Sequence, residues 1–170
     1  MRRPFLDRPV ALLGQYLPMA SLVLIVFTVI GSALLSLTTR LGVSSISAAL
    51  LSPSLVLGGQ AWRLLSWGFF ELDGQNLVFG ALMLGFFGRD LAASWGGARY
   101  LLVCAGVVFF AGSLTTLLGF VWGDVARSRY LSIWPLADAL TVAWSLLFPN
   151  RTILFMFVLP AAGRNLLYAT

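Results

Sequence analysis

In the run "RYLSIWPLADALTVAWSLLFPN", residues 129 to 150, four side chains able to do chemistry stand inside an apolar segment: Ser132, Asp138, Thr141 and Ser145. Asp138, Thr141 and Ser145 follow Trp134 at spacings of four, seven and eleven residues, which puts them on one helical face. A carboxylate beside hydroxyls could hold a ligand, bond a neighbouring helix or pass a proton, although no second acidic residue continues a proton path. Ionisable groups are costly against lipid, so this stripe is expected to face the interior of a bundle. The bland alternative is local: with Pro135 in the first turn, the helix N-terminus would stabilise the carboxylate by about 0.3–1 kcal/mol.

Covalent catalysis asks for more, because a serine hydroxyl attacks only with a base beside it. The chain has no histidine, and all eleven basic residues are arginine. The commonest general base, the commonest transition-metal ligand and the lysine partner of some serine nucleophiles are therefore missing. Aspartate pairs fare no better, since Asp90 and Asp124 both lie near the ends of apolar runs, away from Asp138. No metal or cofactor site is expected. Cys104 is the only cysteine, in an apolar run, and is read as a small buried residue.

The elements that must position these groups are membrane helices. Of the 170 residues, 59% are hydrophobic and 10% charged, and the mean hydropathy is +0.93. That composition describes an integral membrane protein with room for about four or five spans of roughly 20 residues. The net charge of +5 is scattered, without the basic block that would suggest nucleic acid. Arginine without lysine hints at a GC-rich, bacterial genome.

Residues 1–16 are read as a cytoplasmic N-terminus and 17–38 as span 1, too long an apolar run for a signal peptide. Residues 39–75 form a long interfacial loop, in which Trp62, Trp67, Phe69 and Phe70 suit the headgroup region. Spans 2, 3 and 4 are placed at 76–93, 100–122 and 133–148. Span 4 is short: the fourteen residues from Pro135 to Phe148 rise only about 21 Å, against roughly 30 Å of hydrocarbon. Residues 151–170 are expected to form an interfacial strip, Ile153 to Pro160, and the start of a span 5, leaving the bundle unfinished at Thr170. Arg2, Arg3, Arg8, Arg89, Arg99, Arg151 and Arg164 then lie on the cytoplasmic side, against Arg40, Arg63, Arg127 and Arg129 outside, as the positive-inside rule asks.

The stretches "GGQAWRLLSWGFF", "NLVFGALMLGFFGRDLAASWGGARYLLV" and "LLFPNRTILFMFVLPAAGRNLL", in that order and spacing, resemble the rhomboid superfamily of intramembrane proteins over about residues 15 to 170. Trp62 and Arg63 match its first-loop motif, and Phe148 and Pro149 the end of its fourth span. Active rhomboids are serine proteases whose nucleophile lies in a Gly-x-Ser-Gly motif at the start of that span. Through the resemblance the serine falls on Trp134 and the following glycine on Pro135. The second-span histidine falls on Asn76, its asparagine on Gly80, and the glutamate after that span on Ala92. The partner histidine belongs to a sixth span.

The resemblance therefore implies an all-α, polytopic, rhomboid-like bundle of at least four spans with a degenerate site: a pseudoprotease. Its expected partners are the bilayer and the transmembrane segments of other proteins, as an adaptor or accessory subunit of a membrane complex in a bacterial inner membrane. Two alternatives remain: an active protease using Ser132 or Ser145, and a small transporter or channel using Asp138. Trp62 and Arg63 are either interfacial anchors, with the guanidinium on a lipid phosphate, or part of a loop that perturbs lipid to recruit clients.

Overall fold

The computed structural model describes residues 5–12, 15–42, 46–155 and 159–162. It is an all-α membrane bundle, as expected. Among the described residues, three helices are long and apolar enough to cross a bilayer: α1 (Met19–Arg40), α5 (Gly74–Trp95) and α6 (Gly97–Val121). Between α1 and α5 lie the short α2 (Ile46–Ala49), α3 (Pro53–Leu57) and α4 (Arg63–Ser66). After α6 come α7 (Gly123–Arg127) and the fourteen-residue α8 (Trp134–Leu147). Two antiparallel hairpins flank the bundle: β1 (Pro9–Leu12) with β2 (Gln15–Pro18), and β3 (Thr152–Phe155) with β4 (Leu159–Ala162). The second hairpin occupies the stretch read as an interfacial strip. Residues 163–170, where span 5 was expected to begin, lie outside the described residues.

Local chemistry explains where the long helices start and stop. The Asp73 carboxylate accepts from Asn76 N at 2.9 Å, satisfying a free donor at the start of α5. Gly96, at φ +84°, ends α5 in a conformation that L side chains rarely adopt, and the chain turns directly into α6. The first N–H of α6, on Gly97, is capped from far away by Asp7 at 2.5 Å, which fastens the N-terminal segment beneath the α5–α6 turn. In α8, Pro135 sits in the first turn where its missing N–H is harmless, and Phe148 and Pro149 follow the last turn.

Helix α8 packs on α5 and α6 and buries Leu136, Leu140 and Trp144 completely or nearly so. The buried face of α1 is small and polar, with Ser21, Thr28 and Ser32 beside Leu24, which lets α5 approach closely.

The first loop, read as interfacial, folds against the bundle through its aromatic rings. Trp67 is buried, its indole N–H reaching Val108 O of α6 at 3.4 Å, and Phe69 and Phe70 meet Phe27 of α1 with ring centroids 6.1 and 5.4 Å away. Apolar rings gain more from a protein surface that they fill closely than from the disordered headgroup layer. A backbone bridge between Leu51 and Tyr130 joins this loop to the segment leading into α8.

Candidate functional site

The start of α8 is where the resemblance would put catalysis. Ile133, immediately before the helix, is wholly buried. Its side chain lies on Gly80 of α5 so closely that a Cβ at position 80 would stand 2.6 Å from Ile133 Cγ2. Only the missing side chain of Gly80 makes room. Trp134 beside it is half-buried. Asn76, one turn before Gly80, serves α5 through its backbone N–H. Ala92 is buried twelve residues beyond Gly80, about 18 Å along the helix and far from Trp134.

Next to Ile133 is a polar knot. Glu71, 7% exposed, accepts through Oε1 from Leu72 N at 3.0 Å and Asp73 N at 3.3 Å. Its other oxygen accepts from the Ser132 hydroxyl at 3.4 Å, while its own backbone N–H donates to Ser32 Oγ of α1 at 3.0 Å. Ser132 Oγ in turn accepts from Trp134 N at 3.3 Å. The knot ties α1, the first loop and the head of α8 together. It also sets a carboxylate beside a hydroxyl, although one oxygen of that carboxylate already serves two backbone donors.

The expected interior stripe divides. Thr141 and Ser145 are buried, and each returns its hydroxyl to the carbonyl four residues earlier, Ala137 O and Thr141 O, at 2.8 Å. Asp138 does not join them: it is exposed. At 3.6 residues per turn it stands about 120° round the helix from Trp144, which marks the centre of the buried face. The bulk of Leu136, Leu140 and Trp144 sets the rotation of α8, and Asp138 falls off the edge. It has no hydrogen bond or ion pair among the described residues.

The other end of α8 is held by Asp90. Its Oδ2 accepts from Trp144 Nε1 at 3.0 Å and from Arg151 Nη1 at 2.9 Å, and Arg89 Nε lies 3.4 Å from Oδ1. Trp144 packs between Phe87 and Phe148 at centroid distances of 5.4 and 5.7 Å, and the Arg151 guanidinium lies 4.6 Å from the Phe148 ring centre. Beside this cluster a cleft of ≈ 830 Å³ opens between the first hairpin and the α5–α6 turn, lined by Asp7, Pro9, Pro18, Arg89, Asp90 and Arg151 among others. Its charges are balanced.

The paired first-loop residues have opposite environments. Arg63 is 5% exposed, and donates from Nε to Gln60 Oε1 at 2.7 Å and from Nη1 to Leu50 O at 2.6 Å. These inward bonds differ from one of the two readings of Arg63, a guanidinium on a lipid phosphate: a folded loop has carbonyls to satisfy, and the guanidinium satisfies them. Trp62 is 57% exposed and remains free to meet lipid.

Residues 19–168 match the family model described as eukaryotic integral membrane protein (DUF1751). The chain belongs to that family. Its eukaryotic description stands against the bacterial inner membrane expected from the arginine-only complement, which reports nucleotide composition and says little about kingdom. Comparison of this family member with curated proteins and with solved structures finds no match.

Two site residues of this DUF1751 chain escape a reading of the sequence: Glu71 and the Asp90 node. Glu71 had a usable signal, being an acid that directly follows the apolar "SWGFF". Asp90 had a weaker one. Its position at a span end suggested solvent, and nothing in the spacing from 90 to 144 revealed a partner.

Proposed function

We propose that this protein is a non-catalytic, rhomboid-like membrane protein that binds transmembrane segments of other proteins, as an adaptor or accessory subunit of a membrane complex. The order of elements supports the rhomboid-like reading: a long first span, a folded loop bearing Trp62 and Arg63, two spans joined at Gly96, and a short, deeply packed helix. The observation that carries the non-catalytic reading is Ile133 filling the space over Gly80, where the resemblance calls for an oxyanion donor. An indole and a buried isoleucine cannot attack a carbonyl or hold its developing charge.

The N-terminus is assigned to the cytoplasm. Arg8, Arg89, Arg99 and Arg151 gather at the end of the bundle where α5 turns into α6, with Arg2 and Arg3 preceding them in sequence. The test is direct. Purified protein in liposomes is incubated with a model transmembrane substrate, and no cleavage is expected. Cleavage lost on Ser132→Ala or Ser145→Ala would establish the protease reading, which the Ser132–Glu71 contact favours.

A further inference from the structure

Helix α8 has two packed flanks and one open one. The open side carries Pro135, Asp138, Ala139, Val142 and Leu146, at spacings that keep them on one side of the helix. Leu146 is exposed, Ala139 and Val142 are half-buried, and Asp138 is exposed without a partner among the described residues.

The depth of Asp138 follows from its neighbours. Ile133 sits on Gly80, and Trp144 bonds Asp90, so α8 runs parallel to α5 between these two levels. Asp138 lies about midway between Ile133 and Trp144, which puts it level with the middle of Gly74–Trp95. A carboxylate here meets the centre of the hydrocarbon, where ionisable groups are expensive and nearly always paired. Among the described residues every arginine belongs to a loop or a helix end except Arg89, which lies inside α5 at the level of the Asp90–Trp144 contact, away from Asp138. A second copy docked in parallel on this face would therefore bring a carboxylate and no cation.

We infer that the open face of α8 seats a partner transmembrane helix that presents a basic or amide side chain to Asp138 at mid-membrane. The inference rests on the proposed helix-binding function and specifies its chemistry. Ala139 and Val142 keep the face low enough for a helix to approach, and the carboxylate sets register through one deep hydrogen bond or ion pair. A plain apolar helix would lack that anchor.

The test uses the full chain, donor-labelled and reconstituted in phosphatidylcholine vesicles. The probes are acceptor-labelled Leu/Ala transmembrane helices with asparagine, arginine or leucine at the central position. Energy transfer should show the asparagine and arginine helices associating about five- to thirtyfold more tightly than the leucine helix. Asp138→Leu should erase that preference and leave the weak association of the leucine helix unchanged. Because Asp138 is exposed and makes no hydrogen bond or ion pair among the described residues, thermal unfolding of the variant should match the parent. Equal binding of all probes, or a preference that survives Asp138→Leu, overturns the inference but leaves helix binding standing. Absence of association with every probe overturns both. A loss of self-association in Asp138→Leu with no change in probe binding also overturns it, and assigns the face to a second copy.

Discussion

The Asp90 carboxylate is the joint between α5, α8 and the chain beyond α8, and Asp90→Ala tests how much of the bundle depends on it. The change strips the acceptor from Trp144 Nε1, on a side chain 2% exposed, and leaves Arg151 with the Phe148 ring. Hydrogen bonds between membrane helices average about 0.6 kcal/mol and reach about 1.7. An ionised acceptor and a stranded buried donor place this one at the upper end. Arg151 is more than half exposed, so its pairing adds less than about 1 kcal/mol after screening by solvent. The expected loss is about 2 kcal/mol, roughly thirtyfold in the folding equilibrium. Asp90→Asn, which keeps one acceptor for the indole, should cost about half as much, and Arg151→Ala less than about 1 kcal/mol. Unfolding in bicelles gives these values, and a double-mutant cycle with Trp144→Phe isolates the indole bond. A coupling near zero in that cycle, or an Arg151→Ala as damaging as Asp90→Ala, would refute the reasoning.

Two further outcomes follow from close packing and from the first loop. Gly80→Val should destabilise the bundle by about 1–3 kcal/mol through collision with Ile133, and Ile133→Ala in the same chain should recover part of the loss; thermal unfolding of the two variants beside the parent reads this. In the loop, Arg63→Lys should cost about 1–2 kcal/mol, because an ammonium cannot span Gln60 and Leu50 O as the planar guanidinium does. Trp62→Ala, at an exposed ring, should stay within about 0.5 kcal/mol in the same assay.

The long uncharged runs carry enough information to locate membrane helices, and α1, α5 and α6 stand on them. Pro135 and the Phe148–Pro149 pair likewise bracket α8. What the residues conceal is rotation. In a soluble helix the apolar side marks the core, but α6 carries leucine, valine and phenylalanine all round, so hydrophobicity cannot tell its lipid face from its packed one. Asp138 was turned inward on the general cost of a buried charge, and the structure turns it outward because Trp144 claims the interior. Arg63 and Trp67 were drawn to the surface by residue type alone. The better guide was small size. Gly80 accommodates Ile133, Gly112 accommodates Trp67, and Gly31 accommodates Phe70, each at a distance that a methyl group would close. Those positions mark the contacts between elements, though the sequence does not name the partner.

The claim that this molecule works without hydrolysis turns on Ser132, whose neighbour Glu71 is the nearest thing to a base. Reaction with a lipid-soluble fluorophosphonate, which labels activated serines, followed by peptide mass spectrometry, examines that hydroxyl directly. The expected result is no adduct at Ser132, in the parent chain and in Glu71→Gln alike. An adduct at Ser132 in the parent that disappears in Glu71→Gln would mean that the carboxylate activates the serine, and the non-catalytic account would be wrong.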